Sequence, residues 1–322
     1  RSRVRFALTG TPVENRLGEL WSIFSFLMPG YLPSYKSFCS RFEKPIVQEE
    51  DQTAVRRLNQ LTGPFILRRM KSDVLKELPP KTENVYRIEL EEEQRKLYLA
   101  AVVDAREKLQ AAKPEDKMAV FAVLMRLREI CCDPRLIADN WEGGSAKLDA
   151  CVELVSSAVE GGHRILLFSQ FTSMLELLAK RLDAEGISHF TLQGSTPKPV
   201  RAELVRRFNG GEVSVFLISL RAGGTGLNLT AADIVIHYDP WWNVAAQNQA
   251  TDRAYRIGQQ NPVQVYKLIA QDTIEEKIVE LQQAKQSLAD TVTGTADGAI
   301  LSMRPDELLQ LLHARRLKLY GA

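Results

Sequence analysis

Two arginines, Arg253 and Arg256, stand just ahead of a glycine in the stretch QATDRAYRIGQ, residues 249–259. On a helix this spacing places both guanidinium groups on one face, near the end of the element. Arginine keeps its charge and offers a rigid fork of N–H donors that suits phosphate. The pair therefore indicates a phosphate clamp of the kind that stabilises charge developing in phosphoryl transfer. The alternative is a surface ion pair between Arg253 and Asp252, which an isolated Arg-x-x-Arg favours.

A glycine-rich stretch, SLRAGGTGLNL at residues 219–229, is the second candidate site. Its glycines, Gly223, Gly224 and Gly226, let backbone amides approach an anion closely. A dinucleotide site of the G-x-G-x-x-G type is not indicated, because Leu229 stands where the third glycine belongs. A tight turn without a ligand stays open as an alternative. The neighbouring tryptophans at positions 241 and 242 are individually more typical of packing, although one of them could wedge against a nucleic-acid strand.

Several motifs that bind nucleotides and metals are absent from the sequence. There is no G-x-x-x-x-G-K-[ST] loop, and the dipeptide Gly-Lys does not occur at all. There is no Asp-Glu-x-His or Asp-Glu-x-Asp stretch to hold magnesium. The four cysteines form no C-x-x-C pair, which argues against structural zinc. We therefore expect no metal-binding residues in this chain. We also expect that other residues, which this sequence lacks, complete the binding of a nucleotide's phosphates.

The overall composition indicates an ordinary globular protein. The chain has 322 residues, enough for about two or three domains, with 45% hydrophobic and 25% charged residues. No apolar run reaches the length of a membrane span, and the net charge of +2 is uninformative about partners. The first residues lead directly into a predicted strand, so we expect the chain to begin inside a larger protein rather than with a signal peptide.

The second half of the chain alternates between apolar runs and amphipathic helices. The runs ILLF, VFLI and IVIHY suit strands that are buried on both faces. This alternation predicts an α/β fold with a parallel sheet covered by helices on both faces, in which ligands bind at the carboxyl ends of the strands. The predicted strands are 164–169, 189–192, 213–219, 234–238 and 263–268, and the predicted helices are 146–159, 172–185, 200–208, 244–257 and 273–290.

The first half is predicted to be mostly helical. A strand over residues 3–8 precedes a helix that carries Leu17, Leu20 and Phe24 at helical spacing and stops at Met28-Pro29-Gly30. Short helices and loops are expected over 34–75, and helix again over 91–130. A basic cluster, Arg68-Arg69-Lys71, is either a solvated face or a nucleic-acid contact. A linker over 291–300 precedes a last helix that begins near Arg304-Pro305.

Four blocks of this sequence resemble the carboxy-terminal half of Swi/Snf-type ATPases, the double-stranded-DNA translocases of helicase superfamily two. The blocks are LTGTPVEN (8–15), PFILRRMKSDVLKELPPK (64–81), ILLFSQFTSMLELL (165–178) and ISLRAGGTGLNLTAADIVIHYDPWWNVAAQNQATDRAYRIGQ (218–259). The resemblance implies RecA-like lobes. It assigns 1–35 to the end of the first lobe, 36–145 to a mostly helical inter-lobe protrusion, 146–290 to the second lobe, and 291–322 to a linker and final helix.

The resemblance also implies roles for individual residues. Arg253 and Arg256 would be arginine fingers toward ATP, which with Mg²⁺ is held mainly by the first lobe. The residues implied at the ATP cleft are Gln249, Gly226, Asn228, Gln259, Thr9 and Gly10. The residues implied along DNA, without sequence specificity, are Ser169, Gln170, Ser195, Thr196, Arg221, Gly223 and Trp242. The implied partners are double-stranded DNA, the first lobe of the same protein and a DNA-bound protein client, with no membrane.

Two departures from the family pattern and two rival functions remain. Members usually have histidine where Tyr255 stands and often proline where Val244 stands. The rivals are a nucleic-acid docking module that does not hydrolyse ATP, and a small-molecule enzyme, which the scattered histidines do not favour. The isolated chain is expected to be inactive. The absence of nuclear-type basic tails favours a bacterial source and hence a cytoplasmic, nucleoid-associated protein; a eukaryotic source would imply the nucleus.

Overall fold

The computed structural model describes residues 2, 4–8, 17–49, 51–67, 75, 77–113, 116–223, 226–282 and 305–313. The chain divides into two compact units. The first comprises Arg1–Lys76, Trp242–Ala245 and Glu280–Ile300, and the second comprises Glu77–Trp241, Ala246–Val279 and Leu301–Ala322. The predicted sites at Thr9 and Gly10, the basic cluster at 68–71 and the linker at 291–300 lie outside the described residues.

Short helices build the first unit. Helix α1 (Leu17–Leu27) forms as predicted, and the chain turns at Gly30, whose φ of 83° suits glycine. It is followed by α2 (Tyr35–Phe38), a π-helical turn (Cys39–Glu43), α3 (Lys44–Gln48) and α4 (Gln52–Thr62). Asp51 caps α4, since its carboxylate accepts a hydrogen bond from the Thr53 amide at 2.7 Å. The core of this unit contains Leu17, Leu20, Phe24, Leu32, Phe38, Phe42 and Leu58.

The predicted strand over residues 3–8 is wrong for the part that is described. Residues 4–8 have no regular secondary structure, and Val4, Phe6 and Leu8 are exposed. A strand needs a neighbour that satisfies its backbone N–H and C=O groups. Within the described ranges no strand pairs with this segment, so its apolar residues alone do not make it a strand.

The second unit contains a six-stranded, wholly parallel sheet. Its strands are β1 (Lys81–Ile88), β2 (Ile165–Ser169), β3 (His189–Leu192), β4 (Val215–Ser219), β5 (Ile234–His237) and β6 (Val263–Ala270). They lie in the order β1-β6-β5-β2-β4-β3. The three strands from the apolar runs, β2, β4 and β5, are buried along their whole length, as the sequence predicts.

Helices accompany this sheet, and two apolar cores join some of them to its two faces. They are α5 (Glu92–Ala111), α6 (Lys117–Cys132), α7 (Ala146–Glu160), α8 (Thr172–Ala184), α9 (Lys198–Asn209), α10 (Leu220–Gly223), α11 (Val244–Thr251), α12 (residues 274–282) and α13 (Pro305–His313). One apolar core joins Leu148 of α7 and Leu175 of α8 to the sheet. A second core, which includes Phe208 of α9, covers the other face. The predicted RecA-like α/β architecture is therefore confirmed.

Strand β1 lies within the region 36–145 that was expected to be mostly helical. It forms the edge of the sheet beside β6, and most of its residues are exposed. An edge strand lacks the continuous apolar run by which the central strands are recognised. The signal in the sequence is weaker: Thr82, Val85 and Ile88 are β-branched and follow Pro79-Pro80. Among the described helices, none combines the length and apolar content needed to cross a lipid bilayer.

Candidate functional site

The predicted site residues of the second unit divide between two opposite edges of the sheet. All strands are parallel, so their carboxyl ends form one edge and their amino ends the other. Ser169 ends β2 and Ser219 ends β4, at the carboxyl edge. Ile234 begins β5 at the amino edge, where its amide bonds to the carbonyl of Arg164 at 3.1 Å. The glycine-rich connection from Ser219 to Ile234 therefore runs from the carboxyl edge to the amino edge.

The two arginines lie in turns near the amino edge, not on a helix. Helix α11 ends at Thr251, and residues 252–258 form successive turns and bends. The Arg253 carbonyl accepts a hydrogen bond from the amide of Leu229 at 3.0 Å, so it does not bond the amide of Ile257 four residues on. The predicted helix over 244–257 is therefore wrong beyond residue 251. The arginines are placed by a contact with the glycine-rich connection rather than by helical periodicity.

Gln259 fixes this turn segment to the chain that enters β5. Its Nε2 donates to the carbonyls of Ala232 at 2.7 Å and Ala254 at 3.2 Å. Its Oε1 accepts from the amides of Gln260 and Asn261, both at 2.9 Å. The side chain is buried, and these four bonds use both ends of its amide. In this arrangement Gln259 positions the arginine segment.

The arginine pair concentrates positive charge in a partly desolvated place. Arg253 is buried, with 8% of its surface exposed, and Arg256 is half-buried. Arg256 Nη1 donates to the carbonyl of Leu227 at 3.1 Å, so it too is tied to the glycine-rich connection. Burial lowers the pKa of Arg253, and the positive charge of Arg256 lowers it further, while Asp252 opposes them. Both guanidinium groups stay charged at neutral pH, so a bound anion would offset their mutual repulsion.

The other predicted cleft residues surround this segment in different ways. Gly226 is exposed and has a φ of 51°, a left-handed conformation that favours glycine. Asn228 is exposed, and its carbonyl accepts a hydrogen bond from Nδ2 of Asn209 at 2.8 Å. Gln249 is exposed on α11, one turn ahead of Arg253. The Tyr255 ring faces the ammonium of Lys81, the first residue of β1, at 5.8 Å.

At the carboxyl edge the side chain of Ser169 is buried, which corrects its predicted role as a direct DNA contact. Its Oγ donates to Asp239 Oδ1 at 2.6 Å and accepts from the amide of Phe171 at 3.1 Å. The same carboxylate oxygen accepts from the amide of Gln170 at 3.2 Å. Gln170 is partly exposed. Ser169 therefore shapes the loop that carries Gln170 instead of pointing into solvent.

Sequence reasoning missed Arg128, which completes this arrangement. Its Nη2 donates to Asp239 Oδ2 at 3.0 Å and to the carbonyl of Pro240 at 2.5 Å. Both members of the ion pair are fully buried. Arg128 lies 111 positions from Asp239, on a helix of the other half of the sequence. No local spacing signals such a contact, because the helix carries Arg126 and Glu129 beside Arg128 and nothing in the sequence marks which of them is buried.

A second missed arginine ties the remaining carboxyl-edge loops together. Arg201 of α9 donates to the carbonyl of Thr196 at 3.4 Å and to that of Ala222 at 3.4 Å. Thr196 Oγ1 accepts from the Gln193 amide at 3.1 Å, and Ser195 is exposed. Ala222 lies in α10, the short helix whose residues 221 and 223 are the predicted Arg221 and Gly223. The predicted residues of β2, β3 and β4 thus share one edge of the sheet.

Two further observations concern tryptophan and metals. Trp242 belongs to the first compact unit, and its side chain is buried. In the described ranges, no group of three or more His, Cys, Asp or Glu side chains could hold a metal ion. The buried Lys147–Glu275 pair is instead an internal ion pair between α7 and α12.

Comparison with known proteins identifies the family. The SNF2-related domain matches residues 1–136, and the helicase conserved C-terminal domain matches residues 146–258. The chain is also similar to the Sulfolobus solfataricus SWI2/SNF2 ATPase core in complex with dsDNA. That likeness has 34% identity and a TM-score of 0.62, and it covers 95% of this chain and 66% of that one. This chain belongs to the SWI2/SNF2 family.

Curated SWI2/SNF2-type relatives agree with this assignment. A putative ATP-dependent helicase/translocase of Bacillus subtilis is 41% identical over 314 residues, which are 95% of this chain and 34% of the relative. An uncharacterized ATP-dependent helicase of Mycoplasma genitalium is 40% identical over 310 residues, which are 95% of this chain and 29% of the relative. The chain thus spans about a third of the length of these relatives, and the resemblance seen in the four sequence blocks is confirmed.

Proposed function

We propose that this chain supplies the second RecA-like lobe of an ATP-dependent, double-stranded-DNA translocase. In this proposal residues 1–35 end the first lobe, 36–145 form the inter-lobe protrusion, 146–290 form the second lobe, and 291–322 are a linker and final helix. Strand β1, from the proposed protrusion, pairs in parallel with β6 of the proposed second lobe. The family assignment and the arginine pair of the amino edge support this function.

The single observation that carries the proposal is the anchored pair Arg253 and Arg256. Two permanent cations lie in one turn segment, which Gln259 and the Leu229 amide hold in place. Preorganised charge of this kind is what stabilises phosphoryl transfer, because it need not rearrange during the reaction. In the proposal Arg253 and Arg256 hold the phosphates of ATP, while Gly226, Asn228 and Gln249 lie beside them. ATP, when bound with Mg²⁺, supplies the phosphoryl group that is transferred to water.

We propose that the ligands of the metal and the phosphate loop are supplied by other residues of the full-length protein. The sequence contains no Gly-Lys dipeptide and no acidic magnesium motif, and the described residues offer no cluster of metal ligands. We propose that the first lobe of the same protein, including Thr9 and Gly10 at its end, provides the remaining contacts. The isolated chain is accordingly proposed to be inactive, and the ATP hydrolase activity is proposed for the full-length protein.

The carboxyl edge is the proposed DNA-binding surface. Gln170, Ser195, Thr196, Arg221 and Gly223 would contact phosphates, and Ser169 would position the loop of Gln170. Phosphate contacts carry no direct base information, so binding is proposed to be sequence-independent. The similar Sulfolobus solfataricus ATPase core is in complex with dsDNA, which supports DNA binding as such.

The connection of residues 220–233 offers a physical link between the two edges. It leaves the carboxyl edge through α10, where Arg201 holds the Ala222 carbonyl, and reaches the amino edge where Leu227 and Leu229 bond the arginines. We propose that a change in the position of the arginine segment is transmitted along this connection to the carboxyl edge. The ATP-dependent states would differ in DNA affinity, which is the condition for stepping along a duplex. A DNA-bound protein is the proposed client, in a bacterial nucleoid or a nucleus.

ATP hydrolysis by the full-length protein tests this function. We expect stimulation by duplex DNA, to the same extent with three duplexes of unrelated sequence, and no turnover by the 322-residue chain alone. The competing proposal, a docking module, expects DNA binding with no ATP turnover under any condition. Stimulation by one DNA sequence only, or turnover by the isolated chain, would contradict the proposal.

A further inference from the structure

We propose that the buried ion pair of Arg128 and Asp239 is a positioning device that sets the geometry of two DNA-facing loops from within the protein. This inference rests on the proposed DNA-binding role of the carboxyl edge. It assigns a function to a residue on α6, in the preceding helical region, that touches no ligand itself. The two loops are the one after β2, which carries Gln170, and the one after β5, which begins with Asp239 and Pro240.

The geometry of Asp239 is the first support. One carboxylate oxygen faces the loop after β2, where it accepts from Ser169 Oγ at 2.6 Å and from the Gln170 amide at 3.2 Å. The other oxygen faces α6, where it accepts from Arg128 at 3.0 Å. One side chain at the end of β5 thus fixes the exit of the neighbouring strand β2. A carboxylate can accept hydrogen bonds on both of its oxygens. The amide of asparagine would instead place an N–H donor on one side, and that donor would need an acceptor of its own.

The position of Arg128 is the second support. Its guanidinium reaches both the Asp239 carboxylate and the Pro240 carbonyl, so it holds the side chain and the backbone of the loop after β5. It also lies 5.4 Å from the centre of the Phe171 ring, which follows Gln170. One cation therefore contacts both loops, and its charge is fully removed from solvent.

The energetics explain why such a pair would be retained for positioning. Replacing a buried ion pair by apolar residues is often neutral for stability, whereas removing one partner leaves an uncompensated charge. Apolar residues such as leucine and methionine at these two positions could therefore stabilise the fold as well as the ion pair does. What apolar residues cannot reproduce is the set of directed hydrogen bonds that orients the Gln170 amide and the Pro240 carbonyl. A binding surface displaced by about an ångström loses much of its effect.

The test compares full-length variants by the DNA concentration that gives half-maximal stimulation of ATP hydrolysis. For Arg128→Lys and Asp239→Asn we expect this concentration to rise about tenfold, the loss of roughly one well-placed contact. The rate without DNA and the maximal rate should change less than about twofold. Because both residues act through one contact, the double variant should shift no further than the worse single variant.

A matched control separates positioning from general destabilisation. Glu275 belongs to another fully buried ion pair of the same unit, with Lys147, and bonds the Ala270 amide rather than either loop. Glu275→Gln should lower the unfolding temperature like the test variants and leave the half-saturating DNA concentration unchanged. An equal shift in Glu275→Gln, or no shift in Arg128→Lys and Asp239→Asn, overturns the proposal.

Hydrogen exchange gives a second readout that requires neither ATP nor DNA. Exchange of the Gln170 amide should accelerate about tenfold or more in Asp239→Asn and Arg128→Lys and stay unchanged in Glu275→Gln. Should loss of the ion pair prevent folding, Ser169→Ala leaves the pair intact while it removes the hydrogen bonds of Ser169 Oγ to Asp239 and from the Phe171 amide, and the same acceleration is expected. Unchanged exchange overturns the proposal even if the full-length protein shows no DNA-stimulated turnover. Wild-type protein without such turnover contradicts the proposed function instead.

Discussion

The carbonyl of Arg253 and the amide of Leu229 are joined by a hydrogen bond of 3.0 Å, which links two motifs that lie 24 positions apart in the sequence. This contact replaces the helical bond that Arg253 would otherwise make, and it holds the arginine segment against the glycine-rich connection. The connection of residues 220–233 therefore joins the proposed phosphate contacts to the proposed DNA contacts along the chain.

Gln259 is predicted to be needed for activity although it touches no phosphate. Gln259→Ala removes four hydrogen bonds of a buried amide, and we expect the free energy of unfolding to fall by about 1–3 kcal/mol. The ATPase kcat of the full-length protein should fall as well, because Arg253 and Arg256 lose their support. Gln249→Ala, which alters an exposed residue of α11, should change stability by less than about 0.5 kcal/mol. Chemical denaturation and steady-state ATPase assays measure both effects, and a Gln259→Ala protein with wild-type kcat would contradict the prediction.

Tyr255 is predicted to serve through its ring rather than its hydroxyl. The ring faces Lys81 and lies between two arginines in the sequence, so Tyr255→Phe should retain the wild-type pH profile of kcat. Tyr255→His should resemble the wild type above about pH 7 and lose activity at lower pH. There the imidazolium adds a further positive charge beside Arg253 and Arg256. Steady-state rates between about pH 5.5 and 8.5 test this expectation. Loss of activity in Tyr255→Phe would instead assign a role to the hydroxyl.

His237 is predicted to make the second unit sensitive to acid. Burial, together with the smaller effect of the positive charge of Lys267, lowers the pKa of His237 to about 3. Its Nε2 lies 2.9 Å from Thr251 Oγ1. Its buried Nδ1 has no hydrogen-bond partner among the described residues, so a second proton on the ring would have no acceptor there. Below about pH 6.5 the unfolded chain binds a proton at His237 that the folded state excludes. The contribution of neutral His237 to the free energy of unfolding is therefore complete above that pH and is lost as the pH falls toward 3.

The size of this effect can be measured against a variant. Between pH 7.5 and pH 5 we expect His237 to remove about 2 kcal/mol from the free energy of unfolding, as an order of magnitude. His237→Gln cannot take up the proton and should show a flatter dependence over the same range. Urea denaturation at four pH values distinguishes the two proteins. Parallel curves for wild type and variant would show that other groups carry the acid sensitivity.

The central part of the fold follows from the sequence because burial on both faces leaves a strong pattern. Strands β2, β4 and β5 are continuous apolar runs, and only a sheet covered by helices accommodates them. Strand β1 escaped prediction because an edge strand needs no such run. The strand predicted over 3–8 lacks such a continuous run, and no described strand pairs with residues 4–8.

The sequence motifs name candidate site residues, but they do not give their arrangement and do not reveal Arg128 or Arg201. The motifs identify Arg253, Arg256 and the loops at the carboxyl edge. Local spacing cannot show that helix α11 stops at Thr251, since the competing bond comes from Leu229. Nor can it show that Ser169 is buried against Asp239, because that contact and the one from Arg128 join distant parts of the chain. Long-range hydrogen bonds of this kind are set by the tertiary fold, which local propensity does not encode.

The ATPase rate of full-length Arg253→Ala and Arg256→Ala at saturating DNA shows whether these two arginines act on ATP. Arginine fingers contribute about 10³-fold or more to kcat, so we expect losses of that size with DNA affinity nearly unchanged. Arg181→Ala, an exposed arginine of α8 that pairs with Asp149 and Glu185, is the matched control and should keep the wild-type rate. Wild-type turnover in both finger variants, or weakened DNA binding with turnover preserved, would contradict the assignment of these arginines to ATP.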